Sequence, residues 1–76
     1  MTLDDLKESE SVVISGFSQD LDDTYRTRLV ELGFEVSQKV ICFRRPPFGA
    51  PGVYQIGGSV FSLSSDVAKL ITVKMS

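Results

Sequence analysis

Val53-Tyr54-Gln55-Ile56, then Gly57-Gly58, then Ser59-Val60-Phe61-Ser62-Leu63 is the segment on which the fold turns. Two short runs rich in β-branched and aromatic residues, joined by a two-residue glycine turn, form the pattern of a β-hairpin. A tight register sets Tyr54 opposite Phe61, an aromatic pair contributing about 0.2–1 kcal/mol beyond an Ala–Ala pair. Upstream, Arg44 to Gly52 holds all three prolines and two of the six glycines, so it predicts a loop. Before it, Val36 to Phe43 predicts a strand with Val40 and Cys42 on one side, Ile41 and Phe43 on the other, and both sides covered.

Further back, Asp22 to Leu32 predicts the one substantial helix. Tyr25, Leu29 and Leu32 fall at i, i+4 and i+7 and line a docking face that plugs the barrel, with Arg26 and Arg28 toward solvent. Asp22 is the expected N-cap and the expected i,i+4 partner of Arg26. Gly33 is the expected left-handed stop, after which Phe34 folds back onto Leu29. Ser11 to Phe17 predicts a strand in which Gly16 marks a bend or a close backbone approach. Thr2 caps a turn that brings Leu3 and Leu6 onto the core, with Asp4 and Asp5 solvated. Downstream of the hairpin, Ser64 or Ser65 opens a second helical turn, and Ile71, Val73 and Met75 alternate with polar residues as a last strand. The sum is a mainly β chain, with five short strands in a small closed or nearly closed barrel, one helix at about 22–32, and short helical turns near each end.

Seventy-six residues suit one domain, 1–76, with a small core. With 42% hydrophobic and 24% charged residues the chain is a globule rather than a disordered segment. A net charge of -2 argues against a nucleic-acid-binding protein, because such affinity rests mostly on clustered Lys and Arg. One cysteine and no histidine rule out an internal disulfide and the usual zinc and iron ligand sets, and Cys42 within Val40–Phe43 is expected to be buried. The acidic start and the lack of an apolar run near the roughly 20 residues of a membrane span point to a cytoplasmic protein without direct membrane insertion.

No catalytic, cofactor-binding or metal-ligating set emerges, so the expectation is a non-enzyme without a cofactor. Asp20, Asp22 and Asp23 lack the glycine that a calcium loop needs at its sixth position, and helix capping accounts for them. Asp4, Asp5, Glu8 and Glu10 read as a solvated rim or as a loose hold on a hard cation. Arg44 and Arg45 beside Pro47 and Phe48 place cations and an aromatic on a proline-stiffened projection, residue types enriched at interface hot spots. Two readings of the loop stay open: a partner contact, or a Phe48 folded onto its own barrel beside merely wet arginines.

The order of these features resembles the bacterial ferrous iron transport protein A (FeoA) family, small SH3-like β-barrels. The resemblance is carried by Ile14-Ser15-Gly16-Phe17, by Tyr25-Arg26 and Arg28 through Phe34, by Pro47-Phe48-Gly49-Ala50-Pro51, and by Val60, Leu63, Ala68, Ile71 and Val73. It implies an accessory protein of ferrous iron uptake that binds the cytoplasmic part of a membrane GTPase transporter of the FeoB type. Arg44, Arg45, Pro47 and Phe48, with Gly33, Phe34 and Glu35 at the helix exit, are then the expected partner-binding residues. Two departures stand out: Ser37, where members commonly carry glycine, and Ser64, where they carry a basic residue. The alternatives are a regulator that stimulates GTP hydrolysis through Arg44 or Arg45, and an SH3-like module for proline-rich peptides. Two tyrosines and no tryptophan supply the latter's aromatic groove poorly.

Overall fold

The computed structural model describes residues 1–75. Its five strands are β1 (Ser11–Phe17), β2 (Lys39–Arg44), β3 (Gly52–Ile56), β4 (Ser59–Leu63) and β5 (Ile71–Met75). They form one antiparallel sheet in the order β4-β3-β2-β1-β5. A 3-10 turn at Leu3–Asp5, helix α1 (Asp23–Glu31) and the short α2 (Ser65–Ala68) complete the chain. The predicted mainly β, SH3-like architecture is present, and the hairpin register sets Tyr54 opposite Phe61 as expected. The sheet is not closed by hydrogen bonds between β4 and β5. Met1 and Thr2 run beside β5 instead, with the Val73 N–H donating to the Met1 carbonyl at 3.0 Å.

Alternation puts Val12, Ile14, Val40, Cys42, Tyr54, Ile56, Ile71 and Val73 on the inner side of the sheet, where all are buried with Leu3, Leu6, Leu29 and Phe34. Burial raises the Cys42 thiol pKa above its ordinary value, so this thiol is a core side chain and a poor nucleophile. The other side of β2 is not covered as expected, because Phe43 stands 55% exposed. Gly16 is a close approach: a Cβ there would meet the Thr72 hydroxyl at 3.2 Å, where β1 bulges against β5.

The helix ends as its sequence dictates. Gly33 adopts φ 110°, its N–H donates to the Val30 carbonyl, and the Phe34 N–H donates to that of Leu29 at 2.9 Å. These are the two bonds of a Schellman motif. Its docking face differs from the expected one. Leu29 alone of the periodic three is buried, whereas Tyr25 is 44% and Leu32 41% exposed. Nine residues make only two and a half turns, and the apolar anchors flanking them, Leu21 and Phe34, fix the helix without a full stripe. Asp22 caps through its backbone, its carbonyl accepting from the Arg26 N–H, and its side chain makes no capping bond. Arg26 pairs with Asp23 at 3.3 Å rather than with Asp22, an exposed pair of small worth.

Ser37 adopts the left-handed φ of 78° that glycine holds more easily. The conformation has a structural use, since the Ser37 N–H donates to Ile14 and the Ile14 N–H to Gln38, extending the β1–β2 pairing. Ser64 is the N-cap of α2, its hydroxyl accepting from the Val67 N–H.

Replacing Leu29 by Ala is expected to cost about 3 kcal/mol, and Tyr25 by Ala less than about 0.5 kcal/mol. Urea unfolding of the two variants checks this, and equal losses would restore Tyr25 to the core.

Candidate functional site

The β2–β3 loop, residues 45–51, is set by what happens just before it. Cys42 pairs with Tyr54 and Arg44 with Val53, so Phe43 and Arg44 together oppose a single residue. Such a bulge shifts the alternation by one. Phe43 and Arg44 therefore both lie exposed, and Arg45 turns inward. Without the bulge the two arginines would exchange places.

Arg45 is consequently an anchor. Its Nη1 donates to the Tyr54 hydroxyl at 3.1 Å, and its Nη2 donates to the Asp4 backbone carbonyl and faces Asp4 Oδ1 at 3.4 Å. The Tyr54 hydroxyl donates in turn to the Leu3 carbonyl at 3.4 Å, and Ser65 Oγ donates to Asp4 Oδ2 at 2.9 Å. One connected network thus joins the N-terminal turn, the loop root, β3 and the start of α2. The loop packs against it, and Asp4, Arg45, Pro46, Gly49, Ala50 and Ser65 line a cavity of about 130 Å³. Tyr54 is wholly buried, and its ring lies so close beneath Gly52 that a Cβ there would sit 2.6 Å from the phenol oxygen. Burial raises the Tyr54 pKa above its ordinary 10.0, with Arg45 opposing part of the rise.

The tip is built differently. Phe48 and Gly49 have φ 63° and 72°, and the Ala50 N–H donates to the Pro47 carbonyl at 3.4 Å. Two successive positive φ values inside an i to i+3 bond mark a mirror-image turn, whose first central position favours Asn, Asp or Gly. Phenylalanine there is strained by about 1–2 kcal/mol. Its side chain is fully exposed, so no packing offsets the strain.

The expected partner-binding residues therefore separate. Arg44, Pro47 and Phe48 lie exposed on or beside the loop, and Glu35 lies exposed after the helix. Arg45 is held by Asp4 and Tyr54, which corrects its placement as a free recognition cation. Phe34 is corrected too: it is fully buried, its ring tilted 59° against Phe61 at 5.6 Å, while Gly33 forms the helix stop. The joint network of Asp4, Tyr54 and Ser65 beneath Gly52 does not emerge from the sequence, which places Tyr54 in the hairpin pair, Ser65 at a helical turn and Asp4 in the acidic rim, and Asp4 is not the solvated residue expected. Only Gly52, two positions before Tyr54 in a strand, offered a local sign of a close approach. The acidic rim is engaged locally, since Asp5 accepts from the Thr2 N–H, which lowers its pKa, and Glu10 accepts from the Lys7 N–H. Among the described residues no group of three or more His, Cys, Asp or Glu is arranged to hold a metal ion, and no helix is long and apolar enough to cross a membrane.

Fold and site together define a small SH3-like β domain with an anchored loop and an exposed aromatic tip. The FeoA domain family model matches residues 1–75, and the chain belongs to that family. The solution structure of the FeoA protein of Chlorobium tepidum superposes with a TM-score of 0.89 at 25% identity, covering 99% of this chain and 70% of that one. The iron(II) transport protein A of Clostridium thermocellum gives 0.88 at 25% identity, covering 99% of this chain and 45% of that one. A zinc complex of Stenotrophomonas maltophilia FeoA gives 0.83 at 33% identity, covering 97% and 89%. That protein is described as a prokaryotic SH3 domain protein suggested to act as a ferrous iron transport activating factor. Comparison with curated protein sequences found no match. The family is linked to ferrous iron transport.

Two outcomes test the anchor. Gly52→Ala is expected to cost about 2 kcal/mol or more, because the Tyr54 ring must shift within a packed core. Tyr54→Phe is expected to cost about 1 kcal/mol at neutral pH through the lost hydrogen bonds. A raised phenol pKa contributes stability that is present below pH 10 and lost as pH climbs through the folded-state value. The wild-type advantage over Tyr54→Phe should therefore shrink above pH 10 in denaturant titrations, and a constant difference would contradict the buried phenol.

Proposed function

We infer that this chain is a cytoplasmic, non-enzymatic accessory protein of ferrous iron uptake that contacts the cytoplasmic part of a FeoB-type GTPase transporter and supports its assembly or activity. The observation that carries this reading is Phe48, an aromatic side chain held fully exposed on a strained turn whose root is braced by Arg45. Strain without an internal use is found where function requires it. Family membership and the ferrous iron transport factors among its relatives support the choice of partner. Phe48 supplies the apolar anchor with Arg44 and Pro47 beside it, whereas Glu35, bonded through its carbonyl to the Gln38 N–H at the opposite end of β2, is a separate candidate contact.

A second reading has one specific observation in its favour. The bulge leaves Arg44 exposed, so Arg44 rather than Arg45 is the cation able to enter a GTPase site in trans. GTP turnover with wild-type protein and with Arg44→Ala separates stimulation of hydrolysis from binding alone.

Phe48→Asn is the decisive variant, because asparagine tolerates the left-handed turn. It is expected to raise folding stability by about 0.5–1 kcal/mol and to weaken binding to the transporter's cytoplasmic part by tenfold or more, on the order of a hot-spot loss. Paired thermal melts and binding titrations make the check. A stabilised variant that still binds at wild-type affinity would remove the loop tip from the contact.

A further inference from the structure

The outward side of the sheet is a surface that the core does not use and that meets the loop only at Arg44. Directly opposed residues in an antiparallel ladder point to the same side. Lys74, Val13 and Lys39 are so opposed and form one row across β5, β1 and β2. Ile41, Gln55 and Val60 continue a second row across β2, β3 and β4, and Arg44 stands opposite Val53 in a third. Lys39, Lys74 and Arg44 are all exposed. No acidic residue occupies any position in these rows, although the chain carries 10 Asp and Glu and a net charge of -2.

A sheet face turned to water is ordinarily lined by polar side chains. Here Ile41 is only half-buried, Phe43 is 55% exposed and Val60 49%. Along β2 the outward order is Lys39, Ile41, Phe43, Arg44: an apolar strip with a cation at each end. An open cavity of about 280 Å³ adjoins it, with Ile41, Lys39 and Gln55 in its lining.

We propose that this face docks an acidic amphipathic helix of a protein partner. The helix lays its apolar stripe over Ile41 and Phe43 and sets its carboxylates against Lys39, Lys74 and Arg44. Five residue steps of strand from Lys39 to Arg44 span about 16 Å, which about eleven residues of helix match. Charge complementarity selects an acidic occupant, and the cavity beside Ile41 takes an apolar side chain projecting from it. A flat anionic bilayer would satisfy the cations and leave that cavity unfilled. The proposal stands apart from the Phe48 reading, since its test leaves the loop untouched.

The probe is a synthetic helical peptide of about fourteen residues whose leucine stripe is bordered by glutamates, titrated into isotopically labelled protein and followed by amide NMR shifts. Shifts are expected to centre on Lys39, Ile41, Gln55 and Val60, and affinity should fall as salt rises from about 50 to about 300 mM. The double variant Lys39→Glu with Lys74→Glu should weaken binding on the order of tenfold, and Lys39→Gln with Lys74→Gln by less. Lys39 and Lys74 are both exposed, and far-UV circular dichroism verifies that the variants fold. The proposal is overturned if a lysine-bordered version of the peptide binds as well, or if the shifts centre on α1 or the loop. It is equally overturned if charge reversal changes nothing, or if phosphatidylglycerol vesicles are bound while the peptide is not.

Discussion

A buried phenol must find a hydrogen-bond partner, and the answer to that demand at Tyr54 organises this small domain. Leaving such a hydroxyl unpaired in a core costs about 1–3 kcal/mol. Here it is satisfied by Arg45 on one side and by the Leu3 carbonyl on the other. Arg45 then needs its own counter-charge, and Asp4 provides it from 41 residues away in sequence. Asp4 in turn holds Ser65, a separation of 61 residues. A chain of this size buries a modest fraction of its surface. A polar network that spans the N-terminal turn, the loop root, β3 and α2 therefore adds specificity that a thin core supplies less well. Gly52 belongs to the same constraint, because the phenol fits only where no side chain stands above it.

Two strained residues in the same fold differ in what offsets their strain. Ser37 sits at φ 78°, and its N–H, with that of Ile14, extends the pairing of β1 with β2. The strain is offset by hydrogen bonds that the turn alone makes possible. Phe48 sits at φ 63° with its ring wholly in solvent, and nothing in the fold is gained from the identity of the side chain. A rigid root with a costly apolar tip is the arrangement expected when an outside surface supplies the missing contacts.

The sequence made legible what local chemistry decides. The glycine turn of the hairpin, the Gly33 stop with Phe34 folding back, the burial of Cys42 and the packing of Leu3 and Leu6 each depend on a few adjacent residues, and each is found as expected. The helix face differs from the expected one because spacing reveals a stripe without saying how deeply the helix lies; two and a half turns resting on Leu29 leave Tyr25 and Leu32 wet. The roles of Arg44 and Arg45 were indistinguishable because a one-residue bulge sets their parity, and no residue type signals it there. Asp4 reads as solvated from its neighbours in sequence because its partners, Arg45 and Ser65, are brought to it only by the closed fold.

The bulge also decides which arginine joins the basic, apolar face of a domain with a net negative charge. Seven of the ten acidic residues, Asp4, Asp5, Glu8, Glu10, Asp20, Asp22 and Asp23, precede position 24, in the N-terminal turn and around the helix start. The strands themselves carry cations and no acid: Lys39 and Arg44 on β2 and Lys74 on β5. Had the alternation run unbroken, Arg44 would point at the core and Arg45 outward, and the Tyr54 phenol would lose its donor. By admitting one extra residue, β2 places one guanidinium in the network and the other on the surface. The same local irregularity thus braces the loop from within and selects Arg44 as the outward cation, so the core network and the surface charge are set by a single backbone feature rather than by separate parts of the chain.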